Sequence, residues 1–197
     1  MRIGKYIPTS LLLLFVLIGE ISGQATLLVE YRVGTLQPEI KNFDKIYSND
    51  EYLPTIVVGL GTDEGFLILR YNLYEEMGKS LISGVSLDGY ASWRQEFITI
   101  GVRTYDKGRI YVELAYAMGR VEETISTETP DYTALNFSWA DKDIRGGAAA
   151  LGINIPLVMG LHFSSEIGYL YLPVTNKDDK KINTGGRQLS LGLTWVL

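Results

Sequence analysis

The chain has 197 residues, of which 46% are apolar and 11% aromatic, a composition that excludes a disordered polypeptide but leaves open what the apolar surface faces. Its 18 basic and 23 acidic residues give a net charge of −5, so nucleic acid is not an expected partner. With no cysteine, disulfides, thiolate metal sites and a lipidated N-terminal cysteine are all excluded.

Residues 1–25 read as an export signal. "MRIGKY" carries Arg2 and Lys5, "LLLLFVLIG" is a short apolar core, and "EISGQA" places small residues where a peptidase cuts. The apolar run falls short of the roughly 20 residues that span a bilayer, and Glu20 interrupts it. Gly23 and Ala25 predict a cut before Thr26, and a cut after Gly23 fits nearly as well. Losing Arg2, Lys5 and Glu20 lowers the 18 basic and 23 acidic residues to 16 and 22. The mature domain is then 26–197.

From Thr26 onward the recurrent signal is period-2 alternation. Val29, Tyr31 and Val33 open it; Ile98, Ile100 and Val102 continue it; "IYVELAYAM" alternates Ile110, Val112, Leu114, Tyr116 and Met118 with Tyr111, Glu113, Ala115 and Ala117. Leu161, Phe163, Ile167, Tyr169 and Tyr171 repeat it. A strand with one apolar face gives this pattern, whether that face meets a soluble core or lipid. Glu30, Arg32, Arg103, Glu113, His162 and Glu166 fall in the opposite phase, so in a membrane barrel they form a lumenal polar network. Arg103 is expected to pair with Glu113, and Glu30 or Arg32 with Glu166 and His162 where the first strand meets the last ones.

Connections alternate between tight turns ("YDKGR", "IPLVMG") and the long polar stretches Glu122 to Asp141 and Pro173 to Gly186. Short turns at one end and long loops at the other are the outer-membrane arrangement. Strands are predicted near 26–34, 54–70, 73–88, 94–105, 109–121, 143–155, 158–172 and 187–197, with the second bulged at its glycines and turning at "RYN". A rival division makes "TDEG" a hairpin and leaves 26–52 outside the barrel. Between the first two strands, Ile40, Phe43 and Ile46 or Tyr47 behind Pro38 predict a short amphipathic helix that caps the barrel mouth. Phe137 and Trp139 are expected in an aromatic girdle or against an outside partner.

Two further groups bear on chemistry. Ala115, Ala117 and Gly119, with Gly146, Ala148, Ala150 and Gly152 on the next strand, line two inner walls with small residues. Long side chains such as Arg103 and Tyr105 fill that space, or a narrow cavity remains; close packing favours filling. His162, Ser164 and Glu166 alternate on one strand, so a base, a nucleophile and an orienting carboxylate share a side. This pair is similar to the His-x-Ser of outer-membrane lipid A deacylases, which implies lipid hydrolysis. Ser165 stands where those enzymes carry asparagine, and the lumenal phase and turn-side position suit a hydrogen-bond network better. No P-loop, dinucleotide fingerprint, zinc spacing or EF-hand loop occurs, so neither cofactor nor metal is expected.

The chain closes on "GRQLSLGLTWVL", with Leu189, Leu191, Leu193, Trp195 and Leu197 on alternate positions. Ser190, Gly192, Trp195 and Leu197 resemble the C-terminal insertion signature of bacterial outer-membrane β-barrel proteins, whose members usually end in Phe or Trp rather than Leu. The resemblance implies a Gram-negative outer-membrane location, assembly by the barrel-insertion machinery, and outer-membrane lipid and lipopolysaccharide as surroundings. The expected fold is an all-β, membrane-spanning, antiparallel up-and-down barrel of eight strands, ten being the alternative. The expected role is structural or protein-interacting, through the periplasmic ends or external loops toward an envelope partner. A conduit or binding barrel for a small amphipathic molecule comes second, and a lipid A-modifying hydrolase third.

Overall fold

A computed structural model describes residues 26–197 apart from 42, 48–50, 63, 83–84, 107–108, 128–136 and 176–180. The export segment therefore lies outside the described residues. Strands β1 (Thr26–Pro38), β2 (Leu53–Thr62), β3 (Gly65–Ile82), β4 (Val85–Asp106), β5 (Ile110–Thr127), β6 (Phe137–Val158), β7 (Leu161–Tyr171) and β10 (Gly186–Val196) close into one eight-stranded antiparallel barrel. Between β7 and β10 a separate hairpin forms from β8 (Pro173–Thr175) and β9 (Lys181–Asn183). Closure is made by β1 against β10, from Leu28 opposite Val196 to Pro38 opposite Gly186. Leu27 and Leu197 exchange two backbone hydrogen bonds of 2.9 and 2.8 Å, so the terminal residue completes the seam and leaves no open edge.

Both described termini and the short connections after β2, β4 and β6 share one end, the turn end. At β6–β7 the two linking residues, Met159 (φ 41°) and Gly160 (φ 78°), both adopt positive φ, as a two-residue type I′ turn requires. The opposite, loop end is uneven. β3 to β6 are 18 to 22 residues long, whereas β1, β2, β7 and β10 have 10 to 13, so one wall rises well above the other.

Three expectations change here. Residues 54–70 are not one strand turning at "RYN": β2 ends at Thr62, Glu64 lies in a turn, and β3 runs straight through Arg70, Tyr71 and Asn72. The rival division was right about that hairpin and wrong to leave 26–52 outside, because β1 pairs with both β2 and β10. Much of Glu122 to Asp141 is strand, since β5 continues to Thr127 and β6 starts at Phe137. Apolar alternation follows the apolar belt rather than the strand, so it fades where the tall wall leaves that belt. Eight strands, not ten, form the barrel.

The helix α1 (Phe43–Ile46) is a single turn, shorter than predicted because Pro38 still pairs with Gly186 in the sheet. It does cap the loop end. Phe43 and Tyr47 pack with Trp93 (centroids 4.5 to 6.2 Å apart) in an apolar plug with Leu36, Leu53, Phe97 and Leu170. Tyr47 bridges to Gly78, where an added Cβ would lie 2.2 Å from the Ile46 carbonyl oxygen; only glycine lets the cap sit this close. Trp139 packs inward against the same plug, neither in a girdle nor toward a partner, while the Phe137 side chain lies outside the described set. A second apolar plug of Leu28, Val57, Phe66 and Ile68, with Tyr105, fills the turn end.

Outward positions are apolar and exposed: Val112 and Leu114 on β5, Leu151 and Ile153 on β6, Leu189 and Leu191 on β10. Tyr71, Tyr116, Tyr169 and Tyr171 stand on this face toward the loop end and Trp195 toward the turn end, so aromatics flank the apolar belt on both sides.

Candidate functional site

Between the two plugs the lumen is crossed by six buried charges. Glu30 and Arg32 come from β1, Arg70 from β3, Arg103 from β4, Glu113 from β5 and Glu166 from β7; each is at most 5% exposed. Every one points inward because it occupies the lumenal phase of its strand.

Their ion pairs close into a ring. Arg32 contacts Glu30 at 2.7 Å and also Glu166; Arg70 holds Glu166 and Glu113, each at 2.7 Å; Arg103 holds Glu113 at 2.8 Å and Glu30 at 3.0 Å. Arg70 grips Glu166 through two nitrogens, at 2.7 and 2.9 Å, the fork geometry in which guanidinium matches carboxylate best. Each arginine thus meets two glutamates and each glutamate two arginines, so the ring is electrically neutral. Isolated charges at this burial would cost several kcal/mol each, and alternate placement offsets that cost.

Uncharged partners complete it. The Tyr111 hydroxyl accepts from Arg32 and donates to Glu166 Oε2 at 2.9 Å, while its ring lies 4.3 Å beneath the Arg103 guanidinium carbon. Thr194 donates to Glu30 Oε1 at 2.6 Å. Glycines make the room. A Cβ at Gly152 would stand 2.1 Å from Tyr111 Cζ, and one at Gly192 would stand 2.6 Å from Arg32 Cγ.

Arg103 with Glu113, and Arg32 with Glu166, are pairs that strand phase anticipates. His162 is not in the ring: its Nδ1 has no hydrogen-bond partner among the described residues. Ser164, fully buried, has no partner for its Oγ among the described residues, and Glu166 is held by two arginines and Tyr111. The base, nucleophile and carboxylate of a hydrolase are therefore on one face without being joined. Ala115, Ala117, Gly119, Gly146, Ala148, Ala150 and Gly152 do line adjoining inner walls, but Ala117 is packed in the loop-end plug, Gly119 faces Phe97 and Gly152 faces Tyr111. Of the insertion signature, Ser190 and Gly192 point inward, while Trp195 and Leu197 lie exposed on the outer face.

Sequence reasoning missed Arg70, Tyr111 and Thr194. For Arg70 the signal was present: Phe66, Ile68, Arg70, Asn72 and Tyr74 are inward on alternate positions, but "RYN" resembles a turn when read alone.

No family model and no curated relative matches the chain. Solved structures match over its fold. Outer-membrane protein OprG of Pseudomonas aeruginosa aligns with a TM-score of 0.57 at 10% identity, covering 88% of this chain and 96% of that one. Ail, the attachment invasion locus protein of Yersinia pestis, solved in complex with the heparin analogue sucrose octasulfate, aligns with a TM-score of 0.50 at 10% identity, covering 88% and 97%. The fold of this chain is that of small, eight-stranded bacterial outer-membrane barrels.

Proposed function

We propose that the protein is an integral outer-membrane barrel with a sealed lumen, acting as a non-enzymatic structural or interaction module whose working surface is the loop end. The observation that carries this reading is the neutral six-charge ring between two apolar plugs, which occupies the space a conducting pore would need. A membrane strand needs about 9 to 11 residues to cross, whereas β3 to β6 have 18 to 22, so the tall wall stands clear of the bilayer at one end. Short turns belong on the periplasmic side by the general rule for such barrels, which puts the tall wall and α1 outside.

Orientation is tested by cysteine labelling, since the chain has no cysteine of its own. Tyr90→Cys on the tall wall should react with a membrane-impermeant maleimide in intact cells, and Met159→Cys in the β6–β7 turn should not. The reverse pattern, or soluble periplasmic protein, would contradict the reading.

A second reading, a barrel that admits a small amphipathic molecule, draws on Asn72 Nδ2, Gln95 Nε2 and Oε1, Thr99 Oγ1 and Gln188 Nε2. These buried atoms have no hydrogen-bond partner among the described residues. Ordered water satisfies such a layer equally well, so the sealed barrel is preferred.

A further inference from the structure

On the outer face, a groove and a cleft adjoin along β4, β5 and β6. The groove, about 680 Å³, has walls of Val102, Leu114, Tyr116, Tyr169 and Tyr171 and a floor that includes Gly147 and Ala149. The cleft, about 240 Å³, begins one outward row higher, at Ile98 and Met118, and is crowned by Arg120, Lys142 and Arg145. The register shows the continuity: Met118 is opposite Arg145, and two residues further toward the turn end Tyr116 is opposite Gly147. Small residues open the lower part by withholding side chains from an otherwise bulky apolar face.

A bulge builds the upper part. Gly119 pairs with Ile144 and Val121 with Asp141, so Lys142 and Asp143 both stand opposite the single residue Arg120. Bulges of this kind re-aim side chains next to sites. Glu96, which also lines the cleft, is already engaged by Arg120 and by the Tyr71 hydroxyl at 2.9 Å. Lys142 and Arg145, both exposed, have no ion-pair partner among the described residues, and Asp143 is the carboxylate that opposes them. Two free cations thus sit just above a row of outward tyrosines, at headgroup height, with an apolar groove descending below them.

We propose that this composite groove binds a phosphorylated glycolipid of the lipid A class, a phosphate lying between Lys142 and Arg145 and an acyl chain lying in the groove over Gly147 and Ala149. The polarity of the two parts matches such a molecule, cationic toward the loop end and apolar toward the bilayer centre, and the free cations complement its phosphates. The placement rests on the orientation proposed above, which sets the loop end toward the outer leaflet.

The test uses the full mature barrel in detergent micelles, with retained lipid counted by native mass spectrometry. Bisphosphorylated lipid A should be retained at one equivalent, in preference to its dephosphorylated form and to phosphatidylglycerol, and millimolar inorganic phosphate should not displace it. Lys142→Gln/Arg145→Gln should weaken retention by about tenfold, the scale of losing two solvent-exposed ion pairs. Gly147→Leu should weaken it similarly by filling the groove, and a Cβ there meets only the Ala115 carbonyl oxygen at 3.5 Å, so the barrel stays intact. Equal retention of phosphatidylglycerol, no retention at all, or retention unchanged in both variants would overturn the proposal. Heat-modifiable gel migration, run in parallel, separates this failure from failure of the membrane-barrel reading.

Discussion

Arg103 on β4 stands directly opposite Glu113 on β5 and donates to the same carboxylate oxygen through Nε at 3.0 Å and Nη2 at 2.8 Å. Neighbouring strands thus supply one link of the ring, Glu30 and Arg32 supply a second within β1, and the other four join strands that are not neighbours. Ring closure makes the contribution of any one residue depend on the rest. Removing Arg70 strands Glu113 and Glu166 with one arginine each and leaves a net buried charge. Arg70→Met is expected to destabilise the refolded barrel by about 3–5 kcal/mol, read as a lower urea midpoint in vesicles. Arg70→Met/Glu166→Met leaves a shorter, neutral, alternating chain, so the double variant should be more stable than the two single losses predict. A double-mutant coupling near zero would show that the six charges do not act as a unit.

Gly152 is where the filled lumen has least tolerance. Any side chain there collides with the Tyr111 ring and drives its hydroxyl from Arg32 and Glu166. Gly152→Val should cost about 1–3 kcal/mol, the usual range for overpacking, and adding Tyr111→Ala should return part of it. Unchanged stability in Gly152→Val would mean that the small wall borders empty space.

At the loop end, burial raises the Glu123 carboxyl above its ordinary value, with the hydrogen bond from Tyr47 at 3.0 Å opposing that rise. The Tyr47 phenol is pushed up by burial and by Glu123, so it stays protonated and donating. A raised folded-state value means that the capped state binds more protons than the opened one. Its contribution is full below the ordinary glutamate range near 4.5 and is lost as pH rises through the raised value. Hydrogen exchange at residues 43–47, corrected for intrinsic rates, should therefore show stronger protection at pH 4.5 than at pH 7. Glu123→Gln should remove most of that difference; an opposite trend in the wild-type chain would show that another group controls the cap.

Much of the barrel was legible because its outer face and its lumen carry opposite chemistries on alternate residues. That contrast places Ile110 to Met118 outward and assigns Glu30, Arg32, Arg103, Glu113 and Glu166 to the lumen before any pairing is known. It fails where its physical cause is missing. Above the apolar belt the outer face of the wall is no longer apolar, and inward Ile125 is flanked by Thr124, Ser126 and the inward Glu123, so Glu122 to Thr127 read as loop although they are strand. Arg70 was lost for a local reason, a turn-like "RYN" inside a long strand, and with it went the residue that closes the ring. The outer groove of Gly147 and Ala149 was invisible because small residues give no outward alternation.

The central claim is that the lumen is closed. Mature wild-type protein reconstituted into a planar lipid bilayer, after its folding is verified by heat-modifiable migration, tests this most directly. The account predicts no stepwise conductance, and none after Phe43→Ala/Tyr47→Ala either, because the charged ring and the turn-end plug remain beneath the cap. Discrete, reproducible channel openings in the wild-type barrel would contradict it.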